Sequence, residues 1–192
     1  LPIRPTQETA LDNTTKTHFD NLFSQDRELQ NQAFTYILAA TERPVDWAYE
    51  AWDKLVAGLR HEDNHVRAIA SQVLSNLAKS DPEGRMLKDF PSLLNVTRDE
   101  RFVTARHCLQ SLWKVGVVGK KQQQVLLDGL ELRFKECIAE KNCTLIRYDI
   151  LQGLRNLYDA VPDEGVRAKA LAWIETEEDV KYRKKYLTLW KK

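Results

Sequence analysis

Leu55–Lys79 reads LVAGLRHEDNHVRAIASQVLSNLAK. Two amphipathic stretches flank a polar break at Glu62-Asp63-Asn64. Leu55 and Leu59 close the first stretch. Val66, Ala70, Val73, Leu74 and Leu77 stripe the second at the three- and four-residue spacing of one helix face. Asp63 or Asn64 is chemically suited to start that second helix, because its side-chain oxygen accepts from backbone N–H groups that a helix start leaves unpaired. The segment therefore predicts a helical hairpin.

The same template recurs on both sides. Leu29, Ala33 and Ile37 occupy it in DRELQNQAFTYILAA, and Ala105, Leu109 and Leu112 in RFVTARHCLQSLW. Ile146, Ile150, Leu154 and Leu157 occupy it in LIRYDILQGLRNL, and Tyr182, Tyr186 and Trp190 in VKYRKKYLTLW. Positions equivalent to Val66 fall at 29, 66, 101, 146 and 182, with steps of 37, 35, 45 and 36. Arg101 breaks the apolar rule in the third copy. Further helical stretches at 45–59, 82–96, 120–138 and 164–175 lie between the copies, and the long 120–138 stretch accounts for the step of 45.

One hairpin cannot bury its apolar face alone, whereas stacked hairpins share a continuous core. The expected fold is all-α: an α-α superhelix, a right-handed solenoid of about five hairpins. Residues 15–192 are expected to form this single domain after an N-terminal extension at 1–14. Tyr182, Tyr186 and Trp190, interleaved with Arg183, Lys184 and Lys185, suit a cap that closes its last apolar face.

Composition agrees. The 192 residues include only 7 Gly and 6 Pro, where average usage gives about 23 of the two together. So few turn residues argue against a many-stranded β fold. No apolar run reaches the length of a membrane span, so no membrane association is expected. Cys108, Cys137 and Cys143 are too few for a disulfide framework, which predicts a reducing, cytoplasmic setting. The chain opens on Leu1 rather than Met and is expected to be trimmed. Its net charge of +1 hides an asymmetry: residues 1–96 carry 10 basic and 14 acidic side chains, and residues 97–192 carry 19 and 14. That dipole can steer a partner but falls short of the balance of a dedicated nucleic-acid binder.

Asp63, Val66, Arg67, Ala70 and Leu74 together resemble the HEAT-repeat family, a helical hairpin with Asp in its turn and a Val-Arg pair early in its second helix. Ile146 and Arg147 match in part, and the resemblance spans roughly residues 15–190. It implies that Arg67 stabilises stacked turns and that the second helices line a concave face. Registering those helices places Gln72, His107 and Gln152 in one column, and Asn76, Ser111 and Asn156 in the next. Ser75, Gln110 and Arg155 form a third column, and Lys79, Lys114 and Asp159 a fourth. The binding residues expected from this register are Gln72, Asn76, His107, Ser111, Lys114, Gln152, Arg155 and Asn156. Amide and hydroxyl columns of this kind can hydrogen-bond an extended peptide backbone.

The expected function is a non-enzymatic protein-interaction scaffold with a protein or peptide partner, no cofactor, no metal and no catalytic residue. The alternative is a DNA-binding module sharing its architecture with alkylpurine DNA glycosylases, using the basic C-terminal half. Trp113, Arg106, Arg147 and Arg155 would then face DNA, with Arg98, Lys114, Lys120 and Lys121 on phosphates.

Three motifs suggest chemistry. His61-Glu62-Asp63-Asn64-His65 satisfies the H-E-x-x-H pattern of zinc proteases, which needs both His on one continuous helix. Here the string straddles the turn of the best hairpin, so a polar turn is expected. His107-Cys108 reads as a surface His beside a buried Cys, since neighbours on a helix point about 100° apart. Gly116-Val117-Val118-Gly119 reads as the end of one helix and a turn into the next.

Overall fold

Aspartates start the helices. Asp12, Asp26, Asp63, Asp163 and Asp179 each precede a helix and accept hydrogen bonds from backbone N–H groups of its first turn. Each satisfies donors that have no partner inside the helix. In the computed structural model, which describes residues 11–191, these caps open α1 (Asn13–Asn21), α2 (Arg27–Ala40), α4 (Asn64–Leu77), α10 (Glu164–Glu175) and α11 (Val180–Leu187). The others are α3 (Ala48–Gly58), α5 (Arg85–Asn95), α6 (Phe102–Ser111), α7 (Trp113–Gly116), α8 (Lys120–Glu136) and α9 (Cys143–Ala160). Residues 1–10 of the expected N-terminal extension, and Lys192, lie outside the described residues.

The described helices form five consecutive pairs, α1/α2, α3/α4, α5/α6, α8/α9 and α10/α11, with α7 continuing α6 beyond Leu112. No strand occurs among the described residues. The second helices pack in series, α2 on α4, α4 on α6, α6 on α9 and α9 on α11, while α5 bridges α3 and α8 in the other layer. This is an all-α superhelical fold. Trp52, Leu55, Leu74, Leu77, Met86, Leu93, Leu109, Leu154 and Leu157 are among the side chains of its continuous core.

The apolar template holds with two corrections of register. In α2 the buried residue is Gln30 rather than Leu29, which is 44% exposed. The Gln30 amide is satisfied by donating to the Leu22 carbonyl at 3.0 Å. In the third copy Arg101 is exposed because it stands before the helix, its N–H donating to Asp99 at 2.8 Å, and Phe102, the first residue of α6, packs on the core.

Charged side chains tie successive pairs together, at their turns and between their second helices. Arg27 donates to Asp63 at 2.7 Å. Arg67 donates to both oxygens of Asp99 and also to the His61 and Glu62 carbonyls. Arg106 forks onto Asp149 at 2.7 and 3.0 Å. Arg147 donates to Glu177 at 2.8 Å and stacks over Phe134. Arg133, fully buried, satisfies the Thr97 carbonyl and pairs with Glu140. Planar guanidinium forks suit this task because one side chain can satisfy a carboxylate and freed carbonyls together.

At the C-terminal end Tyr186 and Trp190 are buried and Tyr182 is half-buried. The Tyr186 hydroxyl donates to the Thr144 carbonyl at 2.9 Å. The aromatic stripe of α11 thus covers α9, as its spacing predicts.

Candidate functional site

The exposed sides of the second helices carry two grooves. The first has a cavity volume of about 270 Å³ and runs between the N-terminal halves of α2, α4 and α6. Phe34, Gln72, Val103 and His107 are among its lining residues. The second, of about 590 Å³, lies at the C-terminal ends of the same helices. Glu42, Lys79, Trp113, Lys114, Val117, Val118 and Ala160 line it.

The expected binding residues divide between these grooves and the helix contacts beneath them. Gln72 and His107 meet in the smaller groove, with the Gln72 amide donating to the Ala68 carbonyl at 3.1 Å. Lys114 reaches the larger groove. Asn76 is fully buried under it: its amide donates to the Leu38 carbonyl and Thr41 Oγ1, and its oxygen accepts from Lys114 Nζ at 2.5 Å. Ser111 is buried between α4 and α6, its hydroxyl donating to the Cys108 carbonyl at 2.9 Å and lying 3.2 Å from Ser75 Oγ. These two side chains hold the helices together. Gln152 donates to Asn156 Oδ1 at 2.9 Å along α9. Arg155 turns toward the C-terminal end, paired with Asp159 and lying over the Tyr158 and Trp190 rings.

Electrostatics single out the larger groove. Lys79 Nζ donates to the Glu42 carbonyl at 2.7 Å. Burial pulls the Lys79 amine below the ordinary lysine range, opposed by the Glu42 carboxylate. Burial does the same to Lys114, and the nearby Lys79 charge adds to it. Two partly desolvated cations therefore share one groove, beside a half-buried Trp113 and the exposed Val117 and Val118.

The chemically suggestive motifs resolve into structure. His61 lies in the turn between α3 and α4, where its Nδ1 accepts from the Asp63 N–H at 3.0 Å, while His65 lies in the first turn of α4. The two His do not share a helix. Cys108 is fully buried, its thiol pushed up to about 12 by burial, and His107 is exposed. Gly116 ends α7, packed so closely on Leu126 and Leu157 that a side chain there would clash.

The register of the second helices already aligned Lys79 with Lys114. It missed Trp113, Val117, Val118 and Glu42, which belong to helix ends and turns outside any column. Spacing along a helix carries no information on where a connecting turn folds back.

No protein-family model matches the chain, and no curated protein matches it. Solved structures do. A crystal structure of an engineered protein is similar over 92% of this chain and 87% of its own, with 16% sequence identity and a TM-score of 0.50. The likeness is one of fold.

Proposed function

We propose that this chain is a non-enzymatic helical-repeat protein of HEAT type, acting as an interaction scaffold for a protein or peptide partner along the second-helix face. The observation that carries this reading is the pair of grooves on the second-helix side, one along α2, α4 and α6 and one at the helix ends and turns that follow them, which mix apolar walls with amide, imidazole and ammonium groups. Mixed linings of this kind suit a peptide, whose backbone supplies hydrogen-bonding groups and whose side chains alternate in character. The free thiols of Cys108, Cys137 and Cys143 fit a reducing compartment, and we place the protein in the cytoplasm. No helix among the described residues is long and apolar enough to cross a membrane.

The test is selection of a random dodecapeptide display library on the folded protein, followed by hydrogen-exchange footprinting of the enriched peptides. Protection should fall on α2, α4, α6 and α7. Enriched peptides that protect only the opposite layer, α3, α5 and α8, would refute the reading.

DNA binding is the second reading, favoured by Trp113 standing beside Lys79 and Lys114. Against it, Arg106, Arg147 and Arg155, the arginines it needs, each hold a carboxylate of the chain itself. Binding to a DNA duplex whose affinity falls steeply with salt would support it, and no binding at low salt would remove it.

A further inference from the structure

The larger groove has a polarity of its own. Each of its lysines is held by a neutral oxygen, Lys79 by the Glu42 carbonyl and Lys114 by the Asn76 amide oxygen. Both are thereby positioned before any ligand arrives, without either charge being neutralised by that contact. Among the lining residues the one carboxylate is Glu42, set against two ammonium groups. Trp113, Val117 and Val118 form the apolar wall alongside, and the two valines are 38% and 37% exposed.

We propose that Lys79 and Lys114 form the seat for a carboxylate of an acidic peptide segment, whose neighbouring apolar side chain packs on Trp113, Val117 and Val118. This rests on the peptide-scaffold reading above and names the partner's chemistry. An incoming carboxylate meets two partly desolvated cations, where a charge-assisted hydrogen bond is stronger than in open water. It would also relieve the mutual repulsion of the two ammonium groups. A volume of about 590 Å³ lies within the range of ligand-sized pockets.

A nucleic-acid backbone fits the same place less well. A phosphate track needs a run of cations, whereas this groove holds two and places Glu42 beside them. Arg106 and Arg155 are committed to Asp149 and Asp159.

The experiment uses three fluorescein-labelled probes at physiological salt, read by anisotropy. They are the peptide Gly-Ser-Glu-Phe-Glu-Leu-Glu-Ser-Gly, the same peptide with Gln for every Glu, and a twelve-base-pair DNA duplex. The acidic peptide should bind at least tenfold more tightly than its Gln counterpart. Lys79→Ala should weaken the acidic peptide several-fold, and Lys79→Ala with Lys114→Gln at least tenfold, leaving the Gln peptide unchanged. Lys79 lies on the surface, so the single variant keeps the test valid if the double variant unfolds. Equal affinity for both peptides, or no effect of the lysine changes, overturns the seat while the scaffold reading survives. Failure of both peptides to bind overturns the seat; the display selection then decides the scaffold separately. Lysine-dependent binding of the duplex without peptide binding replaces the seat with a nucleic-acid site.

Discussion

The Arg67 guanidinium grips the Asp99 carboxylate through two hydrogen bonds, Nε to Oδ2 at 2.5 Å and Nη2 to Oδ1 at 2.9 Å. It ties the turn before α4 to the turn before α6, and its remaining nitrogen satisfies the His61 and Glu62 carbonyls. Both side chains are largely shielded from water. Arg67→Ala is expected to destabilise the fold by about 3 kcal/mol, since it leaves a shielded carboxylate and two carbonyls without a donor. Arg67→Lys should recover only part of this, because an ammonium cannot reproduce the fork. A denaturant double-mutant cycle with Asp99→Ala should give a coupling of about 1–3 kcal/mol. Additive single effects would refute the pairing.

Acid should unfold the protein through the same turns. Hydrogen bonds from Arg27 hold Asp63 below the usual carboxylate range, and those from Lys120 and Gln123 bring Asp163 down to about 2. Burial pushes Asp99 up, but the Arg67 and Arg101 donors outweigh it and leave it lowered. A carboxylate whose folded pKa lies below its unfolded value contributes stability above about pH 4 and loses it as pH falls toward the folded value. The urea midpoint should therefore be flat down to about pH 5 and fall steadily below about pH 4. Asp63→Asn with Asp163→Asn should lower the plateau and flatten the acid limb. An unchanged acid limb in that variant would contradict the assignment.

Gly116 tests the packing of α7. A Cβ placed there would lie 2.7 Å from Leu126 Cδ2 and 3.0 Å from Leu157 Cδ2. Both atoms belong to fully buried side chains with little room to yield. Gly116→Ala should destabilise by about 1–3 kcal/mol, the usual range for overpacking, despite the better helix propensity of Ala. Adding Leu126→Val to that variant should recover part of the loss, which a purely backbone effect would not allow.

The repeat was legible because helix periodicity and stacking obey one rule: a stripe such as Val66, Ala70, Val73, Leu74 and Leu77 has to be covered. The helix at Glu164–Glu175 is bounded in the structure where its pattern places it. The slips have local causes. Leu29 is the more apolar neighbour of Gln30, yet Gln30 is inside because one carbonyl, that of Leu22, satisfies its amide. Asn76 and Ser111 read as a column open to a peptide ligand, yet they are buried, since a polar side chain with a partner across the helix contact can be interior. Whether such a partner exists depends on the neighbouring repeat's turn, which one helix's spacing does not encode. The lysine register survived: Lys79 and Lys114 line the same groove, although one is held by a backbone carbonyl and the other by a side-chain amide.

Cysteine chemistry gives the most local test of burial. Cys108 and Cys137 are fully buried, and burial pushes both thiols up to about 12. Cys108 donates to the Leu93 carbonyl at 3.4 Å, deep between α5 and α6. Cys143 is half-buried and lines a surface groove of about 320 Å³ beside Ile138 and Arg147. Alkylation requires the thiolate and an open path to it. Treatment with iodoacetamide at pH 8 should therefore modify one site rapidly, located at Cys143 by peptide mass mapping. Cys143→Ser should abolish that fast phase. Cys108 and Cys137 should react only through unfolding, so their rates should rise in Arg67→Ala, whereas the Cys143 rate should stay nearly constant. Rapid modification of Cys108 in the folded protein would mean that α5 and α6 open locally, and the Arg67–Asp99 pair would then not be what limits access to the core.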